Sequence, residues 1–76
     1  MSEGMKTIKC RLRVLMAERE PPVNQAQLIR ETGLYSNTVS KLYNNNFIRL
    51  DVRTIEILME YLKCELNDLF VTVERE

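Results

Sequence analysis

The stretch that decides the fold is Gln25-Ala26-Gln27-Leu28-Ile29-Arg30-Glu31-Thr32-Gly33-Leu34-Tyr35-Ser36-Asn37-Thr38-Val39-Ser40-Lys41-Leu42-Tyr43-Asn44. It reads as two short amphipathic segments separated by one glycine. Asn24, just before it, is placed to cap a helix; Gln27 can reach back as in a capping box, and Val23 can pack on Leu28 as a hydrophobic staple. The spacing predicts a helix to about Thr32 that buries Leu28 and Ile29. Gly33 then allows a left-handed backbone at little steric cost, and Leu34 returns the chain to the core. Tyr35-Ser36-Asn37-Thr38 opens a second helix with Val39 and Leu42 on its inner side. Asn44-Asn45-Asn46 ends it, because asparagine is the non-glycine residue that best tolerates the left-handed region. Two short helices joined through a glycine make a helix-turn-helix.

Upstream, Leu12, Leu15 and Met16 have helical spacing, which predicts a helix of about three turns ending before Pro21-Pro22. Before it, Ile8, Cys10 and Leu12 alternate with Lys9 and Arg11, so Thr7–Cys10 reads as a short strand. Downstream, Asp51 is a cap for a fourth helix whose buried stripe is Ile55, Leu58, Met59 and Leu62. Leu66, Leu69 and Phe70 suggest a last single-turn helix, and Val71-Thr72-Val73 is made of strand formers. A lone strand is not stable, so Val71–Val73 pairs either with Thr7–Cys10 or with a second subunit. The predicted class is all-α, a compact five-helix unit with this short terminal pairing.

A chain of 76 residues makes one domain, 1–76, with one modest core. No apolar run reaches the ~20 residues of a membrane span, and no signal-peptide stretch is present, so a cytoplasmic location is expected. Cys10 and Cys64 sit inside apolar patterns and read as small core residues rather than a disulfide framework. Net charge is zero but segregated. Up to Arg49 there are eight cations against four acids; from Leu50 onward there are three against seven. One end can therefore face phosphate while the other repels it. There is no histidine, and the two glycines, Gly4 and Gly33, make no phosphate loop. An enzyme, a metal site, a cofactor and a small-molecule pocket are not expected. Glu56 and Glu60, one turn apart, read as an exposed face.

The Gln25–Asn44 run resembles the helix-turn-helix of the lambda-repressor-like, or Cro-type, regulators. Arg11-Leu12-Arg13-Val14-Leu15-Met16-Ala17-Glu18 is similar to their first helix. Arg49-Leu50-Asp51-Val52-Arg53-Thr54-Ile55 and Cys64-Glu65-Leu66-Asn67-Asp68-Leu69-Phe70 are similar to their fourth and fifth. The resemblance covers roughly residues 8 to 70 and implies a five-helix domain that binds operator DNA, usually as a dimer. Three places depart from the pattern. Ile29 stands where the family usually has alanine, which is expected to widen or turn the contact between the motif helices. Tyr35 stands where a capping serine is usual, so either it occupies the cap without capping or the helix starts one residue late. Pro21-Pro22 lengthens the turn between the first two helices.

On the third helix Ser36, Asn37, Ser40, Lys41 and Asn44 share the outer side by spacing, all polar and none acidic. Asn37 can bond an adenine edge with both amide groups, Lys41 can reach guanine acceptors or a phosphate, and Ser36 and Ser40 are small enough to let the helix sit deep in a major groove. Ser36, Asn37, Ser40 and Lys41 are the expected base contacts. Gln25, at a helix N-terminus, and Tyr43, Asn44, Asn46 and Arg49, on and after the recognition helix, are the expected phosphate contacts. The expected partners are double-stranded DNA and a second copy of the chain, met through Ile57 and Tyr61 or through Phe70, Val71 and Val73. A different class keeps the fold but binds a protein, as an antitoxin or regulator adaptor does; zero net charge and a second apolar stripe (Ile57, Tyr61, Cys64) favour it.

Overall fold

The computed structural model describes residues 5–75. Residues 1–4 and 76, which belong to the expected 1–76 domain and include Gly4, lie outside them. The order of elements is β1 (Lys6–Cys10), α1 (Leu12–Glu18), α2 (Gln25–Thr32), α3 (Ser36–Tyr43), α4 (Val52–Leu62), α5 (Leu66–Leu69) and β2 (Phe70–Glu74). All five expected helices are present. Each gives at least one fully or nearly fully buried apolar side chain to a single core: Leu12 and Met16, Leu28, Val39 and Leu42, Leu58, and Leu69. Burying one such side chain stabilises by about 1.5–3 kcal/mol, so a small core of this kind carries most of the fold.

α1 has two turns, not the expected three. The chain leaves the helix at Arg19, whose backbone is extended at ψ 155°. Arg19 donates to the Tyr61 carbonyl at 2.8 Å, and its guanidinium lies 4.8 Å from the centre of the Tyr61 ring. That partner on α4 is invisible to local periodicity. α2 starts where Asn24 caps it: Asn24 Oδ1 accepts from the Gln27 N–H at 2.8 Å. The Gln27 side chain does not reach back, as the capping box had it; its amide turns forward to the Glu31 carboxylate at 3.2 Å, a charged acceptor one turn along the same face. Of the two openings left for α3, the first is found: Tyr35 stands at the cap without a capping side-chain bond, and the helix begins at Ser36. Ile29 is half-buried and packs against the core.

Gly33 has φ +77° and its N–H bonds to the Ile29 carbonyl at 2.9 Å, closing α2. A Cβ there would meet nothing within 4 Å, so only the backbone opposes a side chain. Gly33→Ala is therefore expected to lower unfolding stability by about 1–2 kcal/mol, the cost of a left-handed L-residue. An unchanged urea midpoint would show that the turn does not need its glycine.

β1 and β2 pair antiparallel within the chain, from Lys6 opposite Glu74 to Cys10 opposite Phe70. Of the two pairings open to Val71–Val73, the intramolecular one is present. The ladder continues at both ends, Arg75 N–H to the Met5 carbonyl at 2.8 Å and Arg11 N–H to the Leu69 carbonyl at 2.7 Å. Asn45, in the left-handed region at φ +57°, ties this ribbon to the end of α3. Its Oδ1 accepts from the Cys10 N–H at 2.6 Å and its Nδ2 donates to the Cys10 carbonyl at 3.0 Å. The carboxamide thus pairs with both backbone groups of Cys10 as a neighbouring strand would.

Candidate nucleic-acid interface

α3 is held by Val39 and Leu42, both buried, and by Tyr43, which is half-buried and packs on the core. The side left in solvent carries Ser36, Asn37, Lys41 and Asn44, all exposed, with Ser40 half-buried beside them. Four of the five outer-side residues expected from spacing thus lie open, and the fifth lies at the margin. Asn44 folds back along the helix: its Nδ2 donates to the Ser40 carbonyl at 3.0 Å and lies 3.4 Å from the Ser40 hydroxyl. Its Oδ1 takes no part in those bonds.

The flanks of α3 differ. On one side Tyr35, Thr38, Lys41, Ile48 and Arg49 line an open hollow that extends to the start of α4. Arg49 and Lys41 therefore share one side, as expected of two groups near the same strand of a duplex. Asn46 is exposed, with its N–H bonded to the Lys41 carbonyl at 2.8 Å. On the other side the guanidinium of Arg13, from α1, lies over the Tyr43 ring at 5.2 Å from its centre. Gln25 is the first residue of α2 and half-buried.

Electrostatics suit a polyanion here. No acidic residue occurs between Leu34 and Leu50. Asp51, next in the chain, borders the same hollow as Lys41 and Arg49, but it is engaged in capping α4, where its carboxylate accepts from the Thr54 N–H at 3.0 Å and the Thr54 hydroxyl at 3.2 Å. The acids of the C-terminal half lie elsewhere: Glu56 and Glu60 border a shallow hollow with Glu31, Thr32, Arg53, Ile57 and Tyr61.

Four residues of this surface, Tyr35, Thr38, Ile48 and Arg13, were not among those expected from the sequence. Thr38 was within reach, since it stands three before Lys41 and so borders the same edge. Tyr35, 82 % exposed, was read only as a faulty cap. Arg13 comes from another helix and has no local signal.

The candidate dimer residues fall into two places. Tyr61 is occupied within the chain: its hydroxyl donates to Glu31 and its ring and carbonyl hold Arg19. The hydroxyl bond holds the Glu31 carboxyl below its usual range and pushes the Tyr61 phenol above its own. Ile57, half-buried, sits between Tyr61 and the acids of α4. Phe70 meets Phe47 edge-to-face at 6.2 Å, while Val71 and Val73 stand exposed on β2. A two-stranded ribbon keeps one open edge on β2. Cys10 is buried and Cys64 half-buried, both free; burial pushes both thiols up, away from the reactive thiolate.

Among the described residues no helix is long and apolar enough to cross a membrane. Residues 11–75 match a family model described as a Cro/C1-type HTH DNA-binding domain. No curated protein and no solved structure matches the chain.

Proposed function

This chain belongs to the Cro/C1-type helix-turn-helix family of DNA-binding domains, and on that premise we propose that it is a sequence-specific transcriptional repressor that inserts α3 into the major groove. The observation that carries the reading is the open, polar side of α3, which bears Asn37 at its centre, Lys41 at one edge and no acid of its own, with cations near both margins. Ser36, Asn37, Ser40 and Lys41 contact base edges. Gln25, Asn44, Asn46 and Arg49 contact phosphates, with Tyr43 at the margin of the same face. Asn44 reaches its phosphate by turning its Nδ2 away from the Ser40 carbonyl, since its oxygen can only accept and its backbone N–H is held by Ser40. The protein acts in the cytoplasm.

The active species is a homodimer. An eight-residue helix reaches only a few base pairs, too little to select one site in a genome, and a two-fold axis is the commonest way to double the contact. Half-sites then lie about one helical turn, roughly 34 Å, apart. The open edge of β2 with Val71 and Val73, and the Ile57 hollow, are the surfaces offered for pairing.

Selection of bound duplexes from a random pool tests the reading, and an enriched two-fold-related motif is the expected result. On that motif Asn37→Ala is expected to cost about 1–3 kcal/mol and to relax preference at one base pair. Lys41→Ala weakens binding, whereas Glu56→Ala does not. If Glu56→Ala is the more damaging, α3 is not the reading helix. A chain that shifts no duplex even at low salt belongs instead to the protein-binding class, a view favoured by the exposed apolar hollow of Ile8, Leu50, Leu66 and Phe70.

A further inference from the structure

We propose that Arg13 of α1 grips a backbone phosphate along the edge of α3 opposite Arg49, and that the ring of Tyr43 holds it there. The proposal rests on the DNA-binding reading above and adds to it a residue from outside the helix-turn-helix. Three arginines lie at or near α1, and the structure separates them. Arg11 donates to the Asp68 carbonyl at 3.0 Å and Arg19 to the Tyr61 carbonyl at 2.8 Å, so both bind the fold together. Arg13 is exposed, and its contact is the face of an aromatic ring. A π face attracts the cation without taking any of the five N–H donors. The guanidinium is thereby positioned with its hydrogen-bonding capacity intact, in the fork geometry that suits a phosphate.

The position is the useful one. Ser36, Ser40 and Tyr43 follow at helical spacing, so they form a row along one edge of α3. Arg13, over Tyr43, continues that row beyond the helix, while Lys41 and Arg49 border the hollow on the other edge. A helix lying in the major groove has one sugar-phosphate strand along each edge. Two cations on one edge and one on the other place positive charge against both strands. Tyr43, half-buried and packed on the core, is then a positioning residue for Arg13, acting through the face of its ring.

Measuring the slope of log K against log salt on the selected site tests this. Arg13→Ala is expected to reduce the slope by about 0.9 per subunit, the loss of one neutralised phosphate, and to weaken strong and weak sites alike. Arg13→Lys retains the slope, and Arg53→Ala, beside the acids of α4, leaves it unchanged. Tyr43→Phe keeps the ring and is expected to keep the wild-type slope, whereas Tyr43→Leu moves the slope toward that of Arg13→Ala. Thermal melts confirm that the variants are folded; Arg13→Ala and Tyr43→Phe decide the matter even if Tyr43→Leu is unstable. An unchanged slope for Arg13→Ala, with wild-type binding salt-dependent, overturns the Arg13 contact and leaves the DNA reading standing. A Tyr43→Phe slope as low as that of Tyr43→Leu overturns the role of the ring. A wild-type protein that binds no DNA overturns both.

Discussion

Raising salt from about 50 to about 200 mM is expected to weaken binding of the dimer to its site by about 10³–10⁵-fold. Each subunit offers a limited set of phosphate partners: Lys41 and Arg49 on one edge of α3, Arg13 on the other, and backbone N–H groups near Gln25. That amounts to roughly 3–5 phosphates per subunit and twice as many per dimer, which places the complex in the range where counterion release dominates. The chain has no net charge to add long-range attraction, and the acids of α4 repel a duplex presented to the wrong face. The loss should therefore be steep for the specific complex and should follow the number of engaged cations. Equilibrium titration at four or five salt concentrations measures it. Affinity indifferent to salt would remove the electrostatic basis of the proposed interface and point to a protein partner.

Asn45→Ala is expected to cost about 2–4 kcal/mol of stability, a large effect for an exposed residue. Two hydrogen bonds to the Cys10 backbone are lost, at about 0.5–1.5 kcal/mol net each and so about 1–3 kcal/mol together. A further cost of about 1 kcal/mol comes from placing alanine at φ +57°. A domain of this length has roughly 4–11 kcal/mol in all, so the variant loses a large share of it. Asn45→Gly separates the two causes: it accepts the left-handed backbone and lacks only the carboxamide, so it is expected to fall between alanine and wild type. Urea unfolding of the three proteins gives the ordering. A fully stable Asn45→Ala would mean that the ribbon does not depend on this clamp. Loss of the clamp also frees the end of α3 from β1, so DNA affinity should decline in folded Asn45→Gly as well.

The helix-turn-helix was legible because its signals are local. Asn24 caps by reaching three residues along the chain, Gly33 is needed for its own φ, and the spacing of Val39 and Leu42 alone turns Asn37 and Lys41 outward. Asn45 was legible only in part: its tolerance of the left-handed region could be read, but not its partner, which lies 35 residues away. The engagement of Arg19 at the end of α1 was equally out of reach, since its partner Tyr61 lies on a distant helix. Gln27 shows the reverse error, a local motif displaced by a better acceptor one turn ahead.

By itself, then, the sequence determined the number and order of the helices, the glycine turn and the polar side of α3, because caps, turns and 3.6-residue periodicity act between residues a few positions apart. Tertiary structure alone decided that β1 and β2 pair within the chain, that Asn45 joins the ribbon to α3, that Tyr61 is engaged with Arg19 and Glu31, and that Arg13 stands beside Tyr43. Strand pairing and side-chain contacts between elements depend on which surfaces the core brings together, and the periodicity of one segment carries no record of its neighbour across the fold.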